Sequence, residues 1–237
     1  MRCVIILLWL CGSIGLRAQD CSSLPWEANL TYRANTIESE FVRSLSKGAS
    51  DALLPLSIGV PVALYAYGML EVQVPSSANA DTWRYSAESG LQTFVTMGVT
   101  YGTVVALKHL FDRPRPYQAY PNCIVNYRGD ADGSMPSGHA AGSAALATSL
   151  ILRYPTWGVI VPSVAYALYT GFARLNLGMH YLSDVLVGYS IGVLVAVGVN
   201  ALNTALFDLA EPILPSSGTY TLNMQGSVPI FSLAVPL

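Results

Sequence analysis

Residues 133–173 read GSMPSGHAAGSAALATSLILRYPTWGVIVPSVAYALYTGFA, and this stretch decides the fold. It holds two apolar runs, 133–152 and 154–173, each about as long as a helix needs to cross a bilayer. His139 is the only ionisable residue of the first run. Arg153 and Tyr154-Pro155 leave almost no chain for a loop between the runs, so the pattern predicts a tight antiparallel helix hairpin. Small residues crowd this region and the next. Gly138 and Gly142, Ala141 and Ala145, and further on Gly188 and Gly192 each repeat at a spacing of four. That spacing lets helix backbones approach closely inside lipid.

Working outward, runs at 52–70, 89–107 and 185–207 are also uncharged and long enough to span. The expectation is an all-α, multi-span membrane helix bundle. Pro55 and Pro61 should bend the first span or confine its helix. Before it, Ile37, Phe41, Val42 and Leu45 share one face at helical spacing. Asn35 and Glu38 fit a capping pair. This predicts a surface helix over 36–47, lying along the interface or packed on the loops. Composition agrees: 52% of the 237 residues are hydrophobic and 11% charged, against about 25% charged in a soluble domain. A net charge of −2 gives no case for nucleic-acid binding.

Residues 1–18 have the pattern of an export signal: Arg2 flanks an apolar segment too short to span comfortably, and small Ala18 marks a cleavage point. Leu16 is bulky for its place, and an uncleaved anchor helix is the alternative. The chain then divides into this segment, a single helical membrane domain over 19–211 and a tail over 212–237. In the tail, Pro215-Ser216-Ser217-Gly218 and the short apolar runs after it suit a weak hairpin. Cleavage would leave Cys21 and Cys123, both outside the apolar runs. A disulfide and two free thiols are both open readings. No CxxC pair or His/Cys cluster points to a metal.

Three patches beside these runs carry chemistry. Lys108 is followed after six residues by Arg115-Pro116; then comes Pro136-Ser137-Gly138-His139; then Arg174, His180 and Asp184. Each has a plainer reading alone. Lys108 would snorkel to the interface, the second patch would be a helix cap with an interfacial histidine, and His180 with Asp184 would be a surface pair. Arg113-Pro114 competes with Arg115, and the six-residue gap favours Arg115. Together they supply three fixed cations, two imidazoles and a carboxylate. That set can bind a phosphate, attack it and protonate its leaving group. Ser137 is a natural cap for a helix whose exposed amides, with Gly138 allowing close approach, would receive an anion. Asp184, four residues after His180, can accept the proton on one ring nitrogen and leave the other lone pair free.

These three patches are similar to the three-part signature of the type 2 phosphatidic acid phosphatase superfamily, over about residues 108–207. The resemblance implies an all-helical bundle, no metal and no cofactor. It implies His180 as the nucleophile forming a phosphohistidine, oriented by Asp184, and His139 as general acid and then base. It implies Lys108, Arg115 and Arg174 on the phosphoryl oxygens, helped by Ser137 and the Gly138 amide. One departure stands out: many members carry serine where this chain has Ala173. The missing hydroxyl contact is worth about 1–3 kcal/mol if buried.

With a cleaved signal, alternating spans bring all three patches to the outer face. The distribution of Lys and Arg does not follow the positive-inside rule, so topology rests on the signal and on this convergence. The expected activity is an integral-membrane phosphatase acting on a lipid phosphate, with its site facing the periplasm from a bacterial inner membrane. Phosphatidic acid, phosphatidylglycerol phosphate, polyprenyl diphosphate and lipid A are candidates, with a lean toward lipid A. Alternatives are an exported acid phosphatase, a vanadium haloperoxidase and a non-enzymatic lipid transporter or scaffold. Neither the lipid nor the oligomeric state is readable from the chain.

Overall fold

A computed structural model describes residues 20–71, 80–129 and 132–214. The signal or anchor expected over 1–18 and the hairpin expected after Pro215 lie outside the described residues. Among them, all regular structure is helical: α1 Trp26–Asn35, α2 Glu40–Glu71, α3 Ala80–Phe111, α4 Pro116–Ala119, α5 Gly138–Arg153, α6 Trp157–Asn176, α7 Leu182–Ala201 and α8 Asn203–Ala210. A 3₁₀ turn, Cys21–Ser23, precedes α1. Among the described residues four helices, α2, α3, α6 and α7, are long and apolar enough to cross a membrane. The chain is a multi-pass membrane protein.

The 133–152 run was expected to be a fifth span. It forms α5, which has 16 residues and is the bundle's centre. Every residue from Ala140 to Ala147 is buried. A helix hidden all round meets protein rather than lipid. Its most extensive partner is α7, and α3, α6 and α2 complete the wall. The glycine spacing explains the closeness. A Cβ on Gly188 would stand 2.5 Å from the Ser137 carbonyl oxygen, and one on Gly192 2.2 Å from that of Ala141. The α5–α6 hairpin turns in three residues, Tyr154 to Thr156, as the sequence predicts.

Other expectations need correction. Residues 36–47 are not a separate surface helix. Helix α2 starts at Glu40 and runs unbroken through Pro55 and Pro61 for 32 residues. At 1.5 Å per residue that is about 48 Å, well beyond a hydrocarbon core of about 30 Å. The amphipathic part is therefore the end of the span that projects from the membrane. Tyr169 of α6 ties it down by donating to the Val42 carbonyl. Asn35 does not cap α2; Ser39 does, its Oγ accepting from the Val42 N–H at 3.3 Å. The 185–207 run breaks at Leu202, where Asn203 turns aside to donate to Gln92 of α3 at 2.9 Å.

The helix directions sort the molecule into two ends. At one, Arg84 pairs with Glu88 and Glu211, and Arg153 closes the end of α5 against Glu88 and the Tyr85 ring. At the other lie the C-terminus of α3, the N-termini of α5 and α7, and the end of α6. Here too is the 112–132 loop, joined to the start of the chain by a Cys21–Cys123 disulfide with Cα atoms 5.6 Å apart.

Candidate active site

That second end holds a cavity of about 620 Å³ lined by Lys108, Arg115, Gly138, His139, Arg174 and His180, with Asp132 at its edge. Each motif arrives on a different element. Lys108 sits in the last turn of α3. Arg115 stands just before Pro116, which starts α4. Gly138 and His139 open α5. Arg174 closes α6, and His180 is in the short link to α7. The motifs are also stitched together: the Ser137 N–H donates to the Asp184 carbonyl at 3.0 Å.

The orientation of His180 is fixed by partners on both ring nitrogens. Nδ1 lies 2.7 Å from the backbone carbonyl of Ser134. A carbonyl can only accept, so Nδ1 carries the proton. Nε2 lies 3.4 Å from Nη1 of Arg115, which can only donate, so Nε2 presents a lone pair. Asp184 was expected to receive the Nδ1 proton. Its Oδ2 is 3.6 Å from Nδ1 and accepts instead from the Tyr181 N–H at 2.8 Å. Burial, then the facing charges of Arg174, Arg115 and Lys108 with His139, push the His180 pKa well below its ordinary 6.5. The ring is therefore neutral at neutral pH.

Arg115 and Arg174 are almost wholly buried, which charged side chains tolerate only with partners. Arg115 donates to the Met179 carbonyl at 3.1 Å and pairs with Asp132 Oδ1 at 2.5 Å. Asp132 Oδ2 lies 2.8 Å from Lys108 Nζ. One carboxylate thus bridges two cations of the cradle, and it is mostly exposed on its outer side. Burial works to raise the Asp132 pKa, but Lys108 and Arg115 outweigh it and hold the value at about 2.

Two predicted site residues stand outside the cavity lining. Ser137 is fully buried and its Oγ accepts from the Ala140 N–H at 3.4 Å as the cap of α5. Asp184 is fully buried behind His180, its Oδ1 accepting from Arg113 at 2.7 Å. Arg113, which competes with Arg115 in the sequence, is its charge partner. Sequence reasoning also missed Ser134, whose contribution is a main-chain atom, and Asp132, which belongs to none of the three motifs. It passed over Glu27 and Thr31 of α1 and read Asn35 only as a helix cap, although their spacing of four puts all three on one face. Ala173, the departure from the resemblance, is buried with no hydroxyl to offer. Among the described residues, no group of three or more His, Cys, Asp or Glu gathers as a metal site requires.

Comparison with known proteins follows the same lines. The PAP2 superfamily model matches residues 89–207, which include all three motifs and helices α5 to α7. The chain is 34% identical over 107 residues to the lipid A 4'-phosphatase of Helicobacter pylori, covering 45% of this chain and 51% of that one. It is 25% identical over 134 residues to undecaprenyl-diphosphatase BcrC of Bacillus subtilis, covering 56% and 65% respectively. The matched stretch thus spans about half to two thirds of these relatives. The transmembrane PAP2 type phosphatidylglycerolphosphate phosphatase of Bacillus subtilis has the same fold, with a TM-score of 0.57 over 76% of this chain and 85% of its own, at 22% identity. Motif order, helix order and the meeting of the motifs in one cavity lead to a single assignment: the chain belongs to the PAP2 superfamily.

Proposed function

We propose that this protein is an integral-membrane phosphatase that removes phosphate from a lipid headgroup through a phosphohistidine on His180. One observation carries the reading: the Nε2 lone pair of His180 faces a cavity whose other walls are Lys108, Arg115, Arg174 and His139. The phosphoryl oxygens lie against the three cations and the Gly138 amide. Nε2 attacks phosphorus, the bond to the leaving oxygen breaks, and His139 gives that oxygen its proton. The phosphorylated ring is cationic, with Nδ1–H still held by the Ser134 carbonyl. His139 then takes a proton from water as the water oxygen attacks phosphorus. The P–N bond breaks, free phosphate leaves, and both imidazoles return to their starting states. Positioning and fixed charge carry most of such a reaction.

The cavity shape favours a lipid. Leu53 and Leu54 of α2 and Tyr101, Val104 and Val105 of α3 line its other side. Leu54 and Val105 are more than half exposed, on helices that face the bilayer. A headgroup can therefore enter sideways while its chains stay in lipid. The relatives named above act on lipid A and undecaprenyl diphosphate, and a bacterial envelope lipid phosphate, lipid A first, is the substrate class we assign. The Cys21–Cys123 disulfide at the cavity end favours an oxidising compartment, so the site faces the periplasm from the inner membrane. Three fixed cations cover the role a metal would have on the dianion.

The test is phosphate release from phosphatidic acid, phosphatidylglycerol phosphate, undecaprenyl diphosphate and lipid A in mixed micelles, with His180→Ala as control and a chelator arm. Release from at least one lipid, lost in the folded variant and kept with chelator, is expected. Near-normal release by folded His180→Ala would overturn the reading.

A further inference from the structure

Helix α1 lies outside the stretch that matches the superfamily, yet one face of it grips the segment that carries His180. Glu27, Thr31 and Asn35 follow each other one turn apart. Glu27 Oε1 accepts from the Ser183 N–H at 2.7 Å. Thr31 Oγ1 donates to the His180 carbonyl at 3.2 Å. Asn35 donates to the Asn176 carbonyl at 2.9 Å, and Asn176 returns a bond to the Ala34 carbonyl at 2.7 Å. Thr31 and Asn35 are almost fully buried. The chain from Asn176 to Ser183 is thus held at three successive points by α1, whose start is tied to the 112–132 loop through Cys21.

Glu27 does more than hold the backbone. Its Oε2 lies 2.9 Å from Nη2 of Arg113, while Nη1 of the same guanidinium lies 2.7 Å from Asp184 Oδ1 and 2.6 Å from Ser183 Oγ. Arg113 is therefore shared between two carboxylates. Arg113 and Asp184 alone would cancel, and the ring of His180 would have no net charge behind it. With Glu27 the trio carries one net negative charge. Facing the ring from the cavity side are Lys108, Arg115, Arg174 and His139, which oppose any positive charge on it. On the phosphatase reading, that charge develops on His180 as the P–N bond forms.

We infer that Glu27 is a positioning residue for His180: it offsets Arg113 so that the Asp184 charge remains available to the ring, and it fixes the first turn of α7 that carries Asp184. Its ionisation is secure. Burial pulls the Glu27 pKa upward, but Ser183 and Arg113 hold it below its ordinary value.

The inference rests on the proposed function for its kinetic arm and is independent of it for the other. Glu27→Gln keeps the size and the Ser183 acceptor but removes the charge. Its kcat should fall about tenfold, the order lost when the partner behind a metal-bound histidine is changed, with KM within about twofold. Glu27→Asp, which restores the charge, should recover much of the loss. The second arm follows the histidine ring resonances with pH in detergent micelles. The chain has 3 histidines, so single His→Ala variants assign each signal. Glu27→Gln should move the His180 titration further down, by about half a unit, the order expected of one partly screened charge, and leave its Nδ1–H tautomer in place. A His180 titration unchanged in folded Glu27→Gln overturns the inference whether or not the enzyme turns over any lipid. Absence of turnover in the wild type on every lipid phosphate, with the titration shifted as expected, would sink the proposed function and leave this inference standing.

Discussion

The Nδ1–H of His180 donates to the main-chain carbonyl of Ser134, 2.7 Å away. The carboxylate one helical turn on, Asp184, stands off at 3.6 Å. Orientation and charge are therefore divided between two groups. Ser134 sets the tautomer, and Asp184 supplies a buried negative charge while closing the first turn of α7 through Tyr181.

This division predicts unequal effects. On the proposed reaction His180→Ala removes the attacking atom, and it should lower turnover by about 10⁴-fold or more. Where a carboxylate alone sets the tautomer, its change to Asn costs about 10⁴-fold. Here the carbonyl keeps the tautomer, so Asp184→Asn should cost about 10²-fold. Both Asp184 oxygens accept from N–H donors, so the Asn amide will also face a donor, at about 1–3 kcal/mol of stability. Single-turnover rates and thermal melts of the two variants check both numbers. An Asp184→Asn loss as large as that of His180→Ala would mean that Ser134 does not hold the ring.

The depressed pKa of His180 has a stability consequence. Below about pH 6.5 the unfolded chain takes up a proton on this ring, and the folded protein does not. Stability from this group is therefore present above that value and lost as pH falls toward the folded pKa. Melts of wild type and His180→Gln at pH 7 and pH 5 should show a smaller acid-induced drop in the variant. An equal drop in both would place the His180 pKa near its ordinary value.

Asp132 occupies the place of an anion between Lys108 and Arg115. With a pKa near 2 it is ionised at any working pH and, on the proposed function, competes with an incoming phosphate. Asp132→Asn should tighten vanadate inhibition by about tenfold, equivalent to roughly 1.4 kcal/mol. Inhibition constants measured in one micelle system decide it. Weaker inhibition would instead make Asp132 the group that holds the two cations in place.

Gly188 links packing to the cavity. A methyl group there would press on the Ser137 carbonyl and stand 3.0 Å from the Ala140 Cβ, forcing α7 away from the amides that open α5. Gly188→Ala should destabilise by about 1–3 kcal/mol and raise KM. Gly98→Ala, in open space on α3, is the control and should stabilise by about 0.8–1 kcal/mol through helix propensity. Melting temperatures and KM for the pair distinguish a local clash from a general effect of adding a methyl.

Much of the site was legible because its chemistry resides in side chains at short, regular spacings: Lys108 to Arg115, Ser137 to His139, His180 to Asp184. What was not legible depends on main-chain atoms or distant partners. No residue type announces that the carbonyl of Ser134 will meet an imidazole 46 positions away. Arg113 and Arg115 look alike in sequence, and only the path of the chain before α4 turns one toward Asp184 and the other into the cavity. The fold was read in the same way. Apolar runs revealed the spans, but they did not show that α2 would begin at Glu40, since polar residues at its projecting end resemble those of an interfacial helix. Nor did they reveal α5 as the centre, because length and hydropathy report what a helix is made of and not what surrounds it.

The enclosure of α5 bears on how the protein is made. A segment of 16 residues with a histidine, two serines and a threonine is a weak candidate for unaided transfer from the translocon into lipid. Its three-residue turn into α6 makes the two a single inserting unit, with the more apolar helix carrying the other. The groove that receives α5 is complete only after α7, some thirty residues later, has left the ribosome. The polar motifs at its mouth therefore come together only once α7 has closed against α5.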